Sequence, residues 1–316
     1  MSEWNAARNL TRPKVHDETL RDGLQNPSAL DPTVDQKIEI VQLMDEIGVA
    51  SVNIGLPAAG PRAYADCIAI AKAMAARGMK ITAAGAARTL VGDIGPMADV
   101  TQQTGVVMEV MTFIGSSPIR QYVEGWDIEF IRNKSVEAIA FGVKEGLPVT
   151  YVTEDTTRTP PAVLRELFVA AIDAGATRLC LCDTVGHATP DGAFNLVKWT
   201  RDLTRGMGVD VGIDWHGHDD RGFALANAMA AMEAGADRLH GCVLGVGERV
   251  GNTALEYLLR NLERDPRFEG GWNTARLAEL CDTVWKTTHF PPRPDHVYVD
   301  ARPESQRPPA QAAAEA

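Results

Sequence analysis

Two hydrophobic periodicities alternate along the chain. Stretches with apolar residues three and four apart, such as Val34, Ile38, Val41, Met44 and Ile47, or Leu164, Leu167, Phe168, Ala171 and Ile172, predict helices with one buried face. Between such stretches lie short runs that are apolar almost throughout, at 49–54, 79–84, 106–113, 148–153, 177–182, 209–215 and 238–244, which predict strands. A glycine precedes each run (Gly48, Gly78, Gly105, Gly146, Gly175, Gly208 and Gly235), where a helix end would place it. With an N-terminal strand at 14–18, eight strands are expected. Helix starts fall at Asp31-Pro32-Thr33, Thr159-Pro160-Pro161 and Thr189-Pro190-Asp191, each a capping side chain beside a proline that the first helical turn tolerates.

Strands apolar on both faces and separated by amphipathic helices imply a parallel sheet covered by helices. Eight such α/β units predict a TIM (β/α)8 barrel with a short C-terminal extension. A doubly wound open sheet is the alternative, but no Gly-x-Gly-x-x-Gly follows the first strand. The expected organisation is a catalytic barrel over 1–265, a short helical extension over 266–300, and a disordered tail over 301–316 rich in Pro, Gln and Ala.

Composition narrows the partners. A net charge of −11 over 316 residues, with no basic run, argues against nucleic acid or an anionic membrane surface as partner. The apolar runs are too short to span a bilayer, and the first residues lack the pattern of an export signal, so a cytoplasmic protein is expected. Five cysteines without a Cys-x-x-Cys pair fit reduced thiols, and Cys180 and Cys182 are expected to pack as small apolar side chains in the sixth strand.

The candidate chemistry centres on Asp214-Trp215-His216-Gly217-His218-Asp219-Asp220. Residues two apart on a strand point the same way, so both imidazoles leave one strand end together. Neutral imidazole is the commonest metal ligand, and Asp214, Asp219 and Asp220 are candidates to orient the rings. A lone His-x-His is often incidental, so further ligands are required. In a barrel the active site lies at the C-terminal strand ends, and strands seven, eight and one are neighbours. Asp22 and Asn252 thereby come within reach of His216 and His218. This mixed nitrogen and oxygen set suits Mg²⁺, Mn²⁺, Co²⁺ or Zn²⁺.

Three ordered segments, Leu20-Arg21-Asp22-Gly23-Leu24-Gln25, His216-Gly217-His218-Asp219-Asp220 with Gly222 and Ala224, and Gly245-Val246-Gly247-Glu248-Arg249-Val250-Gly251-Asn252, resemble the DRE-TIM metallolyase superfamily over roughly residues 13 to 265. Residues 112–119 and 183–190 also resemble synthase segments of that group. The resemblance implies a metal held by Asp22, His216, His218 and Asn252. It also implies that Arg21 stabilises the oxyanion, and that Glu154 and Thr184 line a 2-oxo acid pocket. Arg21 is alternatively read as a structural partner of Glu18 or Asp183.

The activity implied is a metal-dependent Claisen-type condensation of acetyl-CoA, or another acyl-CoA, with a 2-oxo acid, as in 2-isopropylmalate, citramalate and homocitrate synthases. A homodimer or higher homo-oligomer is expected. Lyase chemistry of the hydroxymethylglutaryl-CoA type is the alternative, supported by Asp22-Gly23-Leu24-Gln25-Asn26. The loop after strand eight argues for the synthases, since it reads Gly-Val-Gly-Glu-Arg where the lyases carry a cysteine. Departures from the synthases are Arg120, where histidine is common, an extra residue between Gln25 and Lys37, and the lack of a His-Ser-Gly-Ile-His lid motif. The general base is therefore left open among His289, His296 and Tyr298, each equally readable as a surface residue.

Overall fold

In the computed structural model, which describes residues 10–298 apart from 269, 294 and 295, eight parallel strands close into a barrel in chain order. They are β1 (Lys14–Asp17), β2 (Ser51–Asn53), β3 (Thr82–Arg88), β4 (Glu109–Gly115), β5 (Val149–Glu154), β6 (Arg178–Asp183), β7 (Gly212–Gly217) and β8 (Arg238–Gly241). Closure comes from β1 pairing with β8, with Asp17 opposite Gly241. Around the barrel run α1 (Val34–Ile47), α2 (Pro61–Arg77), α3 (Val91–Thr104), α4 (Pro118–Glu124), α5 (Ile128–Lys144), α6 (Pro161–Asp173), α7 (Pro190–Gly206), α8 (Ala224–Glu233), α9 (Leu255–Glu263) and α10 (Leu277–Thr288). The expected TIM barrel is observed. The tail at 301–316 lies outside the described residues.

Local chemistry accounts for the element ends. Thr33 accepts from the Gln36 amide while the Gln36 side chain accepts from the Thr33 amide, a reciprocal cap that starts α1. α10 packs against α1, burying Leu277, Leu280, Cys281 and Val284, and the Leu30 amide donates to the Thr288 carbonyl at 2.7 Å. Among the described residues, no helix is long and apolar enough to cross a membrane.

Several expected strand limits need correction. β3 lies at Thr82–Arg88 and not at 79–84, because its sequence Thr-Ala-Ala-Gly-Ala-Ala-Arg carries little of the bulky apolar signal that marks strands. Small residues are required there: a Cβ on Gly85 would stand 2.8 Å from Met97 Cε of α3 and 3.1 Å from Met108 Cε. β4 and β7 start later than expected, since the valines after Gly105 and Gly208 belong to the connections. β8 stops at Gly241 because residues 243–245 turn into a short 3-10 helix.

The lower barrel interior is ionic. Arg238, 3% exposed, donates to Asp214 Oδ2 at 2.5 Å and to both oxygens of Glu109 at 2.6 and 2.7 Å, and Arg178 Nε reaches Asp214 Oδ1 at 2.8 Å. Burial pushes the Glu109 carboxyl up, but the Arg238 charge and hydrogen bond outweigh it and hold the group at about 2. Arg238→Ala would leave two carboxylates in the interior with Arg178 as their remaining cation. The expected loss is about 3–5 kcal/mol in a denaturant titration. A depressed carboxylate stabilises the fold above its unfolded value and loses that contribution as pH falls. The wild-type protein should therefore lose stability between about pH 5 and pH 2, with a shallower acid limb in the Arg238→Ala variant.

Candidate active site

His216 lies at the penultimate position of β7, opposite Cys182 of β6, and His218 follows just past the strand end, bridged antiparallel to Asn252. Asp22 arrives from the turn after β1. Its Oδ2 lies 3.1 Å from His216 Nε2 and 3.5 Å from His218 Nε2, and the two Nε2 atoms are 3.3 Å apart. All three residues are buried. A divalent ion bonded at about 2.1 Å with angles between octahedral and tetrahedral holds its ligand atoms roughly 3.0–3.4 Å apart. Two sides of this triangle of two nitrogens and one oxygen, 3.1 and 3.3 Å, fall in that range, and the third, 3.5 Å, lies just beyond it.

Asn252 supplies a fourth feature. Its Nδ2 donates to the Val246 carbonyl at 3.2 Å, which identifies Oδ1 as the remaining acceptor, and Oδ1 is buried with no hydrogen-bond partner among the described residues. The glycines of the loop permit this fold. Gly251 has φ +97°, and a Cβ there would stand 1.9 Å from the Gly245 carbonyl oxygen. Burial pushes the Asp22 carboxyl up, yet the Arg21 charge and the two imidazoles hold it well below the carboxylate range. Burial lowers His216, but its hydrogen bond to Asp22 carries it up to about 9. The cluster thus attracts positive charge, whether proton or metal.

Arg21 stands beside the triangle, with Nη2 3.8 Å from Asp22 Oδ2. Its main partner is Glu18, whose Oε2 accepts from Nε at 2.8 Å and Nη2 at 2.6 Å. A cavity of about 220 Å³ opens at this barrel mouth, and its walls include Arg21, Asp22, Glu154, Thr184, His216 and His218. Asn252 is not a wall residue. Glu154 lies 3.4 Å from Arg120 Nε, and its carboxyl is raised by burial. Thr184 Oγ1 accepts from the Asp155 amide at 2.8 Å, and its carbonyl accepts from Arg249, which also binds Asp220.

Other expected residues go elsewhere. Asp214 points at the barrel floor and pairs with Arg178, Arg238 and His240. Asp219 accepts from the Ala224 amide, and Asp220 pairs with Arg249. The carboxylate that meets the two imidazoles is Asp22. Cys180 and Cys182 are buried as expected, but both face the cavity, their sulfurs 3.9 Å apart. His289 is exposed at the end of α10, His296 binds Glu256 at 2.9 Å, and Tyr298 accepts from Arg260 at 3.1 Å. None of these three lines the cavity.

Sequence reading missed His16, Asn53 and His240 around Glu18. A weak signal for His16 was present: it lies two residues before Glu18 on the first strand, hence on the same inward face.

The HMGL-like family profile matches residues 12–284. The chain belongs to the HMGL-like family. Within that family it is 34% identical over 278 residues to the probable 2-isopropylmalate synthase of Methanopyrus kandleri, covering 88% of this chain and 53% of the relative. It is 35% identical over 271 residues to the homocitrate synthase AksA of the same organism, covering 85% and 64%. The chain thus spans about half to two thirds of the length of these curated relatives. Among solved structures, hydroxymethylglutaryl-CoA lyase from Pseudomonas aeruginosa superposes with a TM-score of 0.71 at 20% identity, covering 88% of this chain and 94% of that one. That likeness supports the fold.

Proposed function

We propose that this HMGL-like protein condenses acetyl-CoA with a 2-oxo acid in a divalent-metal-dependent reaction. Asp22, His216 and His218 would hold the ion, with Asn252 Oδ1 as a further oxygen donor. The observation that carries the reading is the Asp22–His216–His218 triangle with a clamped guanidinium beside it, in a chain about one third identical to synthases of this type. When bound, the ion would polarise the ketone of the 2-oxo acid as a Lewis acid. Arg21 presents fixed positive charge where the ketone oxygen becomes negative. Glu154, raised by burial, is suited to hold a proton at its carboxyl facing the cavity. In the net reaction the acetyl methyl carbon bonds to the ketone carbon, and hydrolysis of the thioester releases CoA.

The walls bear on the substrate's side chain. Ala86, Met111, Phe113 and Val152 are apolar, while Glu154 and Glu248 are acidic. A second carboxylate would meet the like charge of Glu248 and would compete with the proton that Glu154 is suited to hold, which disfavours it. Pyruvate or 2-oxoisovalerate should therefore exceed 2-oxoglutarate in kcat/KM by at least about tenfold. The test is thiol release from acetyl-CoA with each acid, before and after chelation. Equal rates with 2-oxoglutarate would contradict the assignment of the walls, and thiol release unaffected by chelation would contradict the metal's role.

A further inference from the structure

β1 delivers an anion beneath the site that the proposed reaction does not use. Glu18 is 1% exposed, yet its carboxylate is fully engaged. Oε2 takes Arg21 Nε and Nη2 at 2.8 and 2.6 Å, Asn53 Nδ2 donates across both oxygens at 3.3 and 3.1 Å, and His16 Nε2 lies 3.1 Å from Oε1. Asn53 comes from the end of β2, so two adjacent strands fix the carboxylate before the Arg21 side chain meets it. Two guanidinium nitrogens are thereby committed to Glu18. Among the described residues Nη1 has a single long contact, 3.5 Å to Gln25 Oε1, on the side of the cavity that Arg21 and Gln25 both line.

The competitor for Arg21 is Asp22. Its Oδ2 is 3.8 Å from Nη2, and this same oxygen is the one that meets both imidazoles. A guanidinium released from Glu18 needs to move by only about 1 Å to form a charge-assisted bond with Asp22. That bond would occupy the oxygen required for the ion and turn Arg21 away from the cavity.

We propose that Glu18 is a positioning residue that holds Arg21 off Asp22, keeping the guanidinium for substrate and the Asp22 carboxylate for metal. Asn53 supports it from β2. The inference rests on the condensation reading for the role of Arg21 in turnover, but the competition for Asp22 is independent of which reaction runs. Glu18→Gln keeps the size and one acceptor and removes the charge.

The test is a double-mutant cycle combined with metal titration. Mn²⁺ or Co²⁺ affinity of the substrate-free protein is measured for wild type, Glu18→Gln, Arg21→Ala and the double variant. Turnover is measured in whichever direction the wild type supports. Glu18→Gln should weaken metal binding about fivefold or more and lower kcat about tenfold or more, with a smaller change in KM. In the Arg21→Ala background the same change should alter metal affinity less than twofold, because nothing is left to compete for Asp22.

Equal losses in both backgrounds, or wild-type metal affinity in Glu18→Gln, would overturn the proposal. Should Glu18→Gln fail to fold, Asn53→Ala takes its place and must show the same dependence on Arg21; additive effects there would also overturn it. Absence of turnover in every synthase assay, with the metal cycle behaving as described, would reject the condensation reading and leave the clamp standing.

Discussion

His218→Ala and Asp22→Asn should each reduce divalent-metal affinity by at least about 10²-fold, since removal of partners even outside the ligand set costs 10–100-fold. Activity at fixed low metal should fall in parallel, to below about 1% of wild type, and excess metal should restore part of it in Asp22→Asn, which keeps an oxygen donor. Both side chains sit at the C-terminal end of the barrel, above its ionic floor and apart from the apolar layer between strands and helices to which Ile213 and Leu239 belong. Far-ultraviolet circular dichroism of both variants should therefore match the wild type. Unaltered metal titration in either variant would remove that residue from the ligand set.

Arg21→Ala should lower kcat by about 10²–10³-fold, the scale seen when one preorganised oxyanion partner is removed. Metal binding should persist, because Asp22, His216 and His218 remain and a nearby cation is gone. Stability should also fall, since the buried Glu18 carboxylate loses its strongest partner. Assays well below the melting temperature separate the two effects. Arg21→Lys should recover little of the loss, because one ammonium cannot reproduce the paired Nε and Nη2 contact with Glu18 while also facing the cavity. A drop in kcat of less than about threefold in Arg21→Ala would leave Arg21 without a role in turnover.

The barrel was legible because its evidence is distributed: seven glycine stops and alternating periodicities all agree on eight parallel strands. β3 shows where that signal fails. Gly85 makes room for Met97 of α3 while Ala86 on the opposite face lines the cavity, tertiary demands that hydrophobic pattern cannot display.

The site was legible by direction but not by depth. Asp214 and His216 are two apart on β7 and point the same way, which made Asp214 a candidate partner of the imidazoles. One layer of the barrel separates them, and Asp214 belongs to the salt-bridged floor with Arg178 and Arg238. The Glu18–Asn53 contact joins residues 35 apart on neighbouring strands, and its significance depends on the position of Arg21 between two carboxylates. The close approach of Arg21 to Glu18, by contrast, was an alternative already open from the sequence.

The most direct test of the condensation runs both directions on one metal-replete preparation. Acetyl-CoA with pyruvate or 2-oxoisovalerate is followed by thiol release and by mass analysis of the hydroxy acid formed. In parallel, 3-hydroxy-3-methylglutaryl-CoA is followed for cleavage to acetyl-CoA and a keto acid. Metal-dependent thiol release matched one to one by the new hydroxy acid is expected, with no cleavage in the parallel reaction. Cleavage without condensation would contradict the synthase assignment.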